Sequence, residues 1–129
     1  MKNIRVLIVE DDRVSAGLLK NIIDEQPGYS CSAIVDNGVD AINQIYMGRL
    51  NLILMDIGLL GPMSGRDAAR LILDNFKIPS IFVSAQPDEV TTDSALDTYS
   101  YGYVMKPFNR ECLFATIELG LRRFMERDS

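Results

Sequence analysis

The 129-residue chain contains no histidine and no tryptophan, and it contains two cysteines. Without histidine it has no Ser-His-Asp triad, no histidine metal cluster and no site for phosphohistidine. Cys31 and Cys112 lie far apart and fit neither a Cys-x-x-Cys motif nor a Cys/His metal spacing. We therefore expect both thiols to be buried in a protein of a reducing compartment, the cytoplasm.

Long hydrophobic runs and an excess of basic residues are also missing. No apolar stretch approaches the roughly 20 residues of a membrane-spanning helix, and we expect neither a signal peptide nor contact with a membrane. The net charge of −5 argues against direct binding of this chain to nucleic acid. The length and the 47% of hydrophobic residues predict one domain over residues 1–129, with no output domain.

The apolar stretches predict an α/β fold. Strands are expected at about residues 4–9, 31–35, 51–56, 80–84 and 101–105. Helices are expected at about residues 14–25, 38–48 and 89–97, after the loop that ends at Ser64, and from residue 110 onward. Because strands and helices alternate, we expect a five-stranded parallel sheet in the flavodoxin-like order 2-1-3-4-5, with helices on both faces.

Helical spacing also predicts which side chains face the sheet. In the first helix, Val14, Leu18 and Ile22 repeat at this spacing, next to Leu19 and Ile23. The apolar side of the third helix is predicted to consist of Ala68, Ala69, Leu71 and Ile72. The fourth predicted helix, residues 89–97, has few apolar residues, and we expect it to be the most weakly anchored helix.

Polar side chains stand at the carboxyl ends of four predicted strands. They are Glu10, Asp11 and Asp12 after the first strand, Asp56 ending the third, Ser84 ending the fourth and Lys106 after the fifth. In the order 2-1-3-4-5 these strands are neighbours, so all six side chains are expected at one edge of the sheet. Ligands of open α/β sheets bind at that edge. The apolar residues before Asp56 predict a strand that is buried on both faces.

This combination of residue types predicts phosphoryl chemistry. Four carboxylates repel one another unless a cation joins them, and a site with only oxygen ligands favours Mg²⁺. Asp56 is the candidate nucleophile and would form an acyl phosphate. Lys106 would neutralise charge on the phosphoryl oxygens, and Ser84 would donate a hydrogen bond to one of them. Any one of these residues taken alone is explained as well by a helix cap or a surface ion pair.

Four motifs in this order resemble the receiver domain of two-component response regulators, over essentially the whole chain. They are Glu10-Asp11, Leu54-Met55-Asp56-Ile57, Ser84-Ala85 and Lys106-Pro107-Phe108. The resemblance implies that a histidine kinase or a histidine phosphotransfer protein phosphorylates Asp56. It also implies that Asp11, Asp56 and the backbone carbonyl of Gly58 hold Mg²⁺ with the assistance of Glu10. A cis peptide between Lys106 and Pro107 is implied as well.

The resemblance further implies how phosphorylation would change the structure and how the phosphoryl group would be lost. Ser84 would turn toward the phosphoryl group, and Tyr103 would rotate into the space behind it. The altered face would consist of the fourth helix, the fifth strand and the fifth helix, and would bind a downstream effector or a second copy. Gly58 and Gln86 would tune the rate of dephosphorylation. Such a chain catalyses only its own phosphorylation and dephosphorylation.

Two features depart from the usual receiver pattern. Many receivers have proline four residues after the aspartate and glycine at eight, whereas this chain has Leu60 at four and Gly65 at nine. The loop from Gly58 to Ser64 is therefore expected to be one residue longer. Ser84 stands where threonine is more frequent, and it lacks the methyl group that restricts the threonine rotamer.

Three alternative functions were compared with a signalling switch. A phosphatase with an aspartate nucleophile would use the same residue types, but the segment from Asp56 to Gly58 lacks the second acid of an Asp-x-Asp motif, and no cap insertion is present. A flavodoxin-like electron carrier would need a phosphate-binding loop after the first strand, where three acids would repel the phosphate. An interaction module that works without phosphorylation stays open.

Overall fold

The computed structural model describes residues 3–59, 61–85 and 99–128. It contains one five-stranded sheet, made of β1 (Ile4–Val9), β2 (Tyr29–Val35), β3 (Leu52–Asp56), β4 (Ser80–Ser84) and β5 (Ser100–Met105). The strand order is β2-β1-β3-β4-β5, and every neighbouring pair is parallel. The predicted fold class and strand order are therefore confirmed.

Helices pack on both faces of this sheet. The described part of the chain contains α1 (Arg13–Glu25), α2 (Gly38–Met47), α3 (Gly65–Phe76) and a C-terminal helix (Arg110–Asp128). Side chains that accept backbone N–H groups cap the first three helices, namely Asp12, Asn37 and Ser64. None of the described helices is long and apolar enough to cross a membrane. The predicted helix at residues 89–97 lies outside the described residues.

Two hydrophobic clusters, one on each face of the sheet, fix the central strands. One cluster includes Leu19 of α1 and Ile117 of the C-terminal helix, and the other includes Ala41 of α2 and Ile72 of α3. All five residues of β3 are buried, as expected for a strand covered on both faces. Because each fully buried aliphatic side chain contributes about 1.5–3 kcal/mol, the strand that ends at Asp56 is firmly held.

The predicted buried face of α1 was partly wrong. Its buried residues are Ala16, Leu19 and Ile23, whereas Val14 and Leu18 are 80% and 46% exposed. The apolar residues of α1 outnumber the positions that can face the sheet. Helical spacing of the larger side chains selected a face that does not include Ala16. Ala16 is small, and it allows the helix to approach the sheet closely.

Three further side chains are less buried than expected. Leu71 is exposed, because it precedes Ile72 by one residue, about 100° around the helix, and Ile72 faces the sheet. Cys31 is only partly buried, since β2 is an edge strand. Cys112 is exposed in the first turn of the C-terminal helix, where its N–H donates to the side-chain oxygen of Asn109 at 2.7 Å.

Candidate functional site

The carboxyl ends of β1, β3, β4 and β5 lie side by side at one edge of the sheet. Glu10 follows β1, Asp56 and Ser84 are the last residues of β3 and β4, and Lys106 follows β5. The backbone hydrogen bonds between β4 and β5 continue to this edge, where the Lys106 N–H donates to the Ser84 carbonyl at 2.8 Å. We call this region the carboxyl edge.

Three acids gather at the carboxyl edge. Carboxylate oxygens of Glu10, Asp11 and Asp56 all lie within 4.8 Å of one another. Glu10 and Asp56 are buried, with 3% and 7% of their surfaces exposed, whereas Asp11 is exposed. The fourth acid, Asp12, does not join this cluster. Its carboxylate instead caps α1 by accepting hydrogen bonds from the N–H of Val14 at 3.2 Å and from the hydroxyl of Ser15 at 2.8 Å.

The crowding of acids changes the protonation of Asp56. Burial, followed by a hydrogen bond with Glu10 and the negative charge of Glu10, raises the pKa of Asp56 to about 7. The N–H of Gly58 and the positive charge of Lys106 act in the opposite direction, but they are weaker. At neutral pH the protein without metal therefore holds this carboxyl only partly ionised.

Lys106 supplies positive charge at this edge. Its Nζ lies 2.8 Å from Oε1 of Glu10, and the side chains of Lys106 and Glu10 are 19% and 1% exposed. Burial lowers the pKa of Lys106, but the hydrogen bond and charge of Glu10, helped by Asp56 and Asp12, outweigh burial and raise it. Lys106 therefore remains a cation.

The charges of this cluster fit a divalent cation. Three acids face one lysine, and the acids offer only oxygen ligands, which Mg²⁺ prefers. Besides burial, which is the largest cause, this crowding also raises the pKa of Asp56, since carboxylates that are close together without enough positive charge retain protons. The exposed Asp11 opens onto a cavity of about 330 Å³ between α1, β2 and α2, which gives the edge access to solvent.

A tight turn follows Asp56 and orients its side chain. The N–H of Gly58 donates to Oδ1 of Asp56 at 2.9 Å, and the N–H of Leu59 donates to the Asp56 carbonyl at 3.2 Å. In this turn Oδ1 of Asp56 accepts a hydrogen bond, and the second carboxylate oxygen, Oδ2, does not take part. At the same edge of the sheet, after β5, the Lys106–Pro107 peptide is cis.

The hydroxyl and the aromatic residue expected at the site lie on adjacent strands. Ser84 is completely buried at the end of β4. Tyr103 pairs with Phe82 across β4 and β5, and their rings stack with centroids 5.6 Å apart at an interplanar angle of 29°. Tyr103 is thus half-buried against the cluster that packs under α2 and α3. Gln86 lies outside the described residues.

Two features of the site were not found by reasoning from sequence. Which acid pairs with Lys106 depends on side-chain directions that periodicity does not encode, and the partner is Glu10. The sequence also marked Gly65 only as a departure in spacing. In the structure Gly65 packs directly on the backbone of Asp56. A glycine at the first position of a helix is the only signal that could have indicated this contact.

The curated relatives that match this chain include a response regulator and a transcriptional regulatory protein. The chain is 31% identical over 119 residues to the DNA-binding response regulator MtrA of Mycolicibacterium paratuberculosis, covering 92% of this chain and 52% of that protein. It is 28% identical over 123 residues to the transcriptional regulatory protein YvrH of Bacillus subtilis, covering 95% of this chain and 51% of that protein. The chain thus spans about half the length of these relatives.

Solved structures of receiver domains superpose over nearly the whole chain. The signal receiver domain of a modulated diguanylate cyclase from Desulfovibrio desulfuricans G20 matches with a TM-score of 0.87 and 28% identity, covering 98% of this chain and 100% of that one. The N-terminal domain of a response regulator/sensory box/GGDEF protein from Carboxydothermus hydrogenoformans matches with a TM-score of 0.83 and 30% identity, covering 97% and 99%.

The family comparison covers all four strand ends of the carboxyl edge. Residues 6–118 match the family described as the response regulator receiver domain. The carboxyl edge, the strand order and this match agree. The chain belongs to the receiver domain family of two-component response regulators.

Proposed function

We propose that this receiver domain is a signalling switch that accepts a phosphoryl group on Asp56 from a histidine kinase or a histidine phosphotransfer protein. The observation that carries the proposal is a buried strand-end carboxylate next to two other acids and a lysine. In the reaction, a carboxylate oxygen of Asp56 bonds to phosphorus while the bond between phosphorus and the donor nitrogen breaks. The donor imidazole leaves with that electron pair.

Each residue of the site has a distinct role in this proposal. Asp11, Asp56 and the carbonyl of Gly58 would hold Mg²⁺, with Glu10 beside them; the ion would supply positive charge near the phosphoryl oxygens. Lys106, which pairs with Glu10, would supply a second positive charge besides that of the ion. The Ser84 hydroxyl donates a hydrogen bond to a phosphoryl oxygen, which requires the side chain to turn toward Asp56.

The same proposal includes a conformational output. The phosphoryl group adds up to two negative charges, and the turn of Ser84 would leave space that Tyr103 can enter. The affected face comprises residues 89–97, β5 and the C-terminal helix, and it would bind a downstream effector protein or a second copy of the domain. Direct contact of this domain with nucleic acid is not part of the proposal, because its net charge is −5.

Phosphorylation of purified protein tests the chemistry. Incubation with acetyl phosphate and Mg²⁺ should add one phosphoryl group, detected by intact-protein mass spectrometry, and Asp56→Asn should remove it. Asp36→Asn serves as the matched control, because Asp36 is an acid that lines the adjacent cavity but lies outside the cluster. Equal labelling of wild type and Asp56→Asn would overturn the assignment of Asp56.

Nuclear magnetic resonance tests the conformational output. Beryllofluoride, which imitates an aspartyl phosphate, should shift the signals of Ser84 and Tyr103 and of the C-terminal helix. The Ser84→Ala variant should bind the same reagent but transmit smaller shifts to Tyr103. Shifts that remain confined to residues around Asp56 would contradict the proposed coupling.

Gly58 is proposed to set the lifetime of the acyl phosphate. It stands two residues after Asp56 and has no side chain to exclude water from the phosphoryl group. Gly58→Met should lengthen the half-life of the phosphorylated protein by about threefold or more, corresponding to a barrier increase of at least about 0.65 kcal/mol. An unchanged or shorter half-life would refute this steric role. Gln86 is proposed to orient the attacking water.

A further inference from the structure

Gly65, the first residue of α3, lies against the backbone of Asp56. A Cβ atom on Gly65 would come 2.4 Å from the carbonyl oxygen of Asp56 and 3.3 Å from Cγ of Met55. Carbon and oxygen atoms normally approach to about 3.3 Å. A carbonyl oxygen of a buried strand cannot move aside as the end of a side chain can. Even an alanine at this position would therefore displace either α3 or the Asp56 peptide.

The displaced carbonyl belongs to the turn that orients the phosphoacceptor. It accepts the N–H of Leu59 at 3.2 Å, and within the same turn the N–H of Gly58 donates to Oδ1 of Asp56 at 2.9 Å. The same peptide is held from its other side, because its N–H, which belongs to Ile57, donates to the Val83 carbonyl at 2.9 Å. A shift at the Asp56 carbonyl would thus rotate a peptide whose other hydrogen bonds cannot follow.

The start of α3 is itself fixed. The hydroxyl oxygen of Ser64 accepts the N–H of Asp67 at 3.1 Å and caps the helix. Gly65 therefore presents a rigid surface to the Asp56 carbonyl, although the two residues are nine positions apart in the chain. In the loop that precedes Ser64, Gly61 is exposed and has a φ of 120°.

We propose that Gly65 is a positioning residue of the phosphoacceptor site. By lying against the Asp56 carbonyl, it holds the turn from Asp56 to Leu59 in the one geometry that directs the carboxylate and the Gly58 carbonyl to the same cation. This inference rests on the proposed function and names a further residue that the reaction needs.

A glycine that is needed only for packing provides the matched control. A Cβ on Gly120 would come 2.8 Å from the carbonyl oxygen of Tyr101 and 2.7 Å from Cδ1 of Ile81. This contact also joins a helix to a strand and also involves a backbone carbonyl, but it involves none of the residues of the carboxyl edge. Gly120→Ala should cost stability without changing the site.

The experiment compares Gly65→Ala and Gly120→Ala with wild type. We would measure Mg²⁺ affinity by nuclear magnetic resonance titration, the rate of phosphorylation by acetyl phosphate, and the free energy of unfolding in urea. Gly65→Ala should weaken Mg²⁺ binding by about tenfold, as loss of a group that orients metal ligands does, and should slow phosphorylation at least as much. The amide signals of Gly58 and Leu59 should shift. Gly120→Ala should keep the affinity and rate of wild type.

A second pair of variants covers the case in which Gly65→Ala does not fold. Ser64→Ala removes the cap of α3 and costs about 1 kcal/mol without introducing a clash, and Asn37→Ala does the same at α2. Ser64→Ala should weaken Mg²⁺ binding by about twofold to threefold, whereas Asn37→Ala should not. An Mg²⁺ affinity unchanged in both Ser64→Ala and any folded Gly65→Ala would overturn the role of Gly65. Failure of wild type to bind Mg²⁺ and become phosphorylated would instead overturn the proposed function.

Discussion

Two groups of polar side chains lie partly inside this protein, and they are built in opposite ways. One is the carboxyl edge, where three acids face a single lysine. The other, which we call the helix seam, joins the C-terminal helix to α1 and β2 and consists of Gln26, Tyr29, Arg110, Phe114 and Glu118. The first has excess charge of one sign, whereas the second pairs every named donor with an acceptor or an aromatic ring.

In the helix seam, each donor named above has an acceptor or an aromatic ring within the protein itself. The Tyr29 hydroxyl donates to Glu118, and Arg110 donates to Gln26 while its guanidinium carbon lies 5.4 Å from the centre of the Phe114 ring. Burial, followed by the hydrogen bond to Glu118 and its charge, raises the pKa of Tyr29, so the phenol remains a donor. Comparison with the carboxyl edge teaches that unbalanced charge, rather than burial of polar groups, distinguishes the part of this protein for which we propose a bound cation.

The largest effect is expected from removing the cation of the carboxyl edge. Lys106→Met should slow phosphorylation by about 100-fold, because one stabilising charge on the transferred group is lost. It should also destabilise the fold, since Glu10 would be left buried without its partner. The rate is measured with acetyl phosphate and the stability by urea unfolding.

Lys20→Met is the control for this prediction. Lys20 forms an exposed ion pair with Asp24 at 2.6 Å, and because exposed ion pairs contribute little to stability, its loss should change stability little and leave the rate unchanged. Similar effects of the two lysine variants would mean that burial of the pair at the carboxyl edge has no consequence.

Asp56 should make the free energy of unfolding fall as the pH rises, which is the opposite of the effect of an acid whose pKa is lowered by folding. Because its pKa is raised to about 7 from an unfolded value near 3.8, the folded protein binds the extra proton between these values. Its contribution to stability is fully present below about pH 4 and is lost as the pH rises through 7. In the absence of metal, Asp56→Asn should remove this loss, on the order of 2 kcal/mol after allowance for solvent screening.

Urea unfolding from about pH 2.5 to 8 in the presence of a chelator measures this difference. Asp24→Asn provides the opposite sign: the hydrogen bonds from Lys20 and from the Cys31 N–H lower the pKa of Asp24, so its contribution is lost as the pH falls below 4. Parallel pH profiles for wild type and Asp56→Asn would show that the acids at the carboxyl edge do not oppose folding.

Adjacent acids should differ according to whether they belong to the cluster. Asp11→Ala should weaken Mg²⁺ binding by about tenfold or more, since a carboxylate ligand is lost. Asp12→Ala should cost about 1 kcal/mol of stability through loss of the α1 cap and should change Mg²⁺ affinity little. Magnetic resonance titration and urea unfolding distinguish the two effects. A larger loss of Mg²⁺ affinity in Asp12→Ala would reverse the assignment of the two acids.

The smallest effect on function is expected in the helix seam. Tyr29→Phe removes the hydroxyl that donates to Glu118 and should cost about 1 kcal/mol of unfolding free energy. The rate of phosphorylation and the Mg²⁺ affinity should stay at wild-type values, measured on the same samples. A clear change in either quantity would mean that the seam and the carboxyl edge are coupled through the sheet.

Much of the site could be predicted because strand ends are local features of the sequence. The apolar run before Asp56 identifies a buried strand and places an acid at its end, and the same reasoning applies to Glu10, Ser84 and Lys106. Parallel crossover rules then bring these ends to one edge. Face assignments failed where apolar residues were in excess: Val14 satisfies helical spacing as well as Ala16 does, but only the sheet decides which of them is covered.

The sequence by itself determined the alternation of strands and helices, the strand order and the set of residues at the carboxyl edge, because periodicity and chain direction are properties of neighbouring residues. Only the tertiary structure decided that Glu10 pairs with Lys106. It also decided that Gly65 lies against the Asp56 carbonyl. Those outcomes depend on distances between side chains and backbone groups far apart in the chain, and such distances exist only once the sheet and its helices have packed.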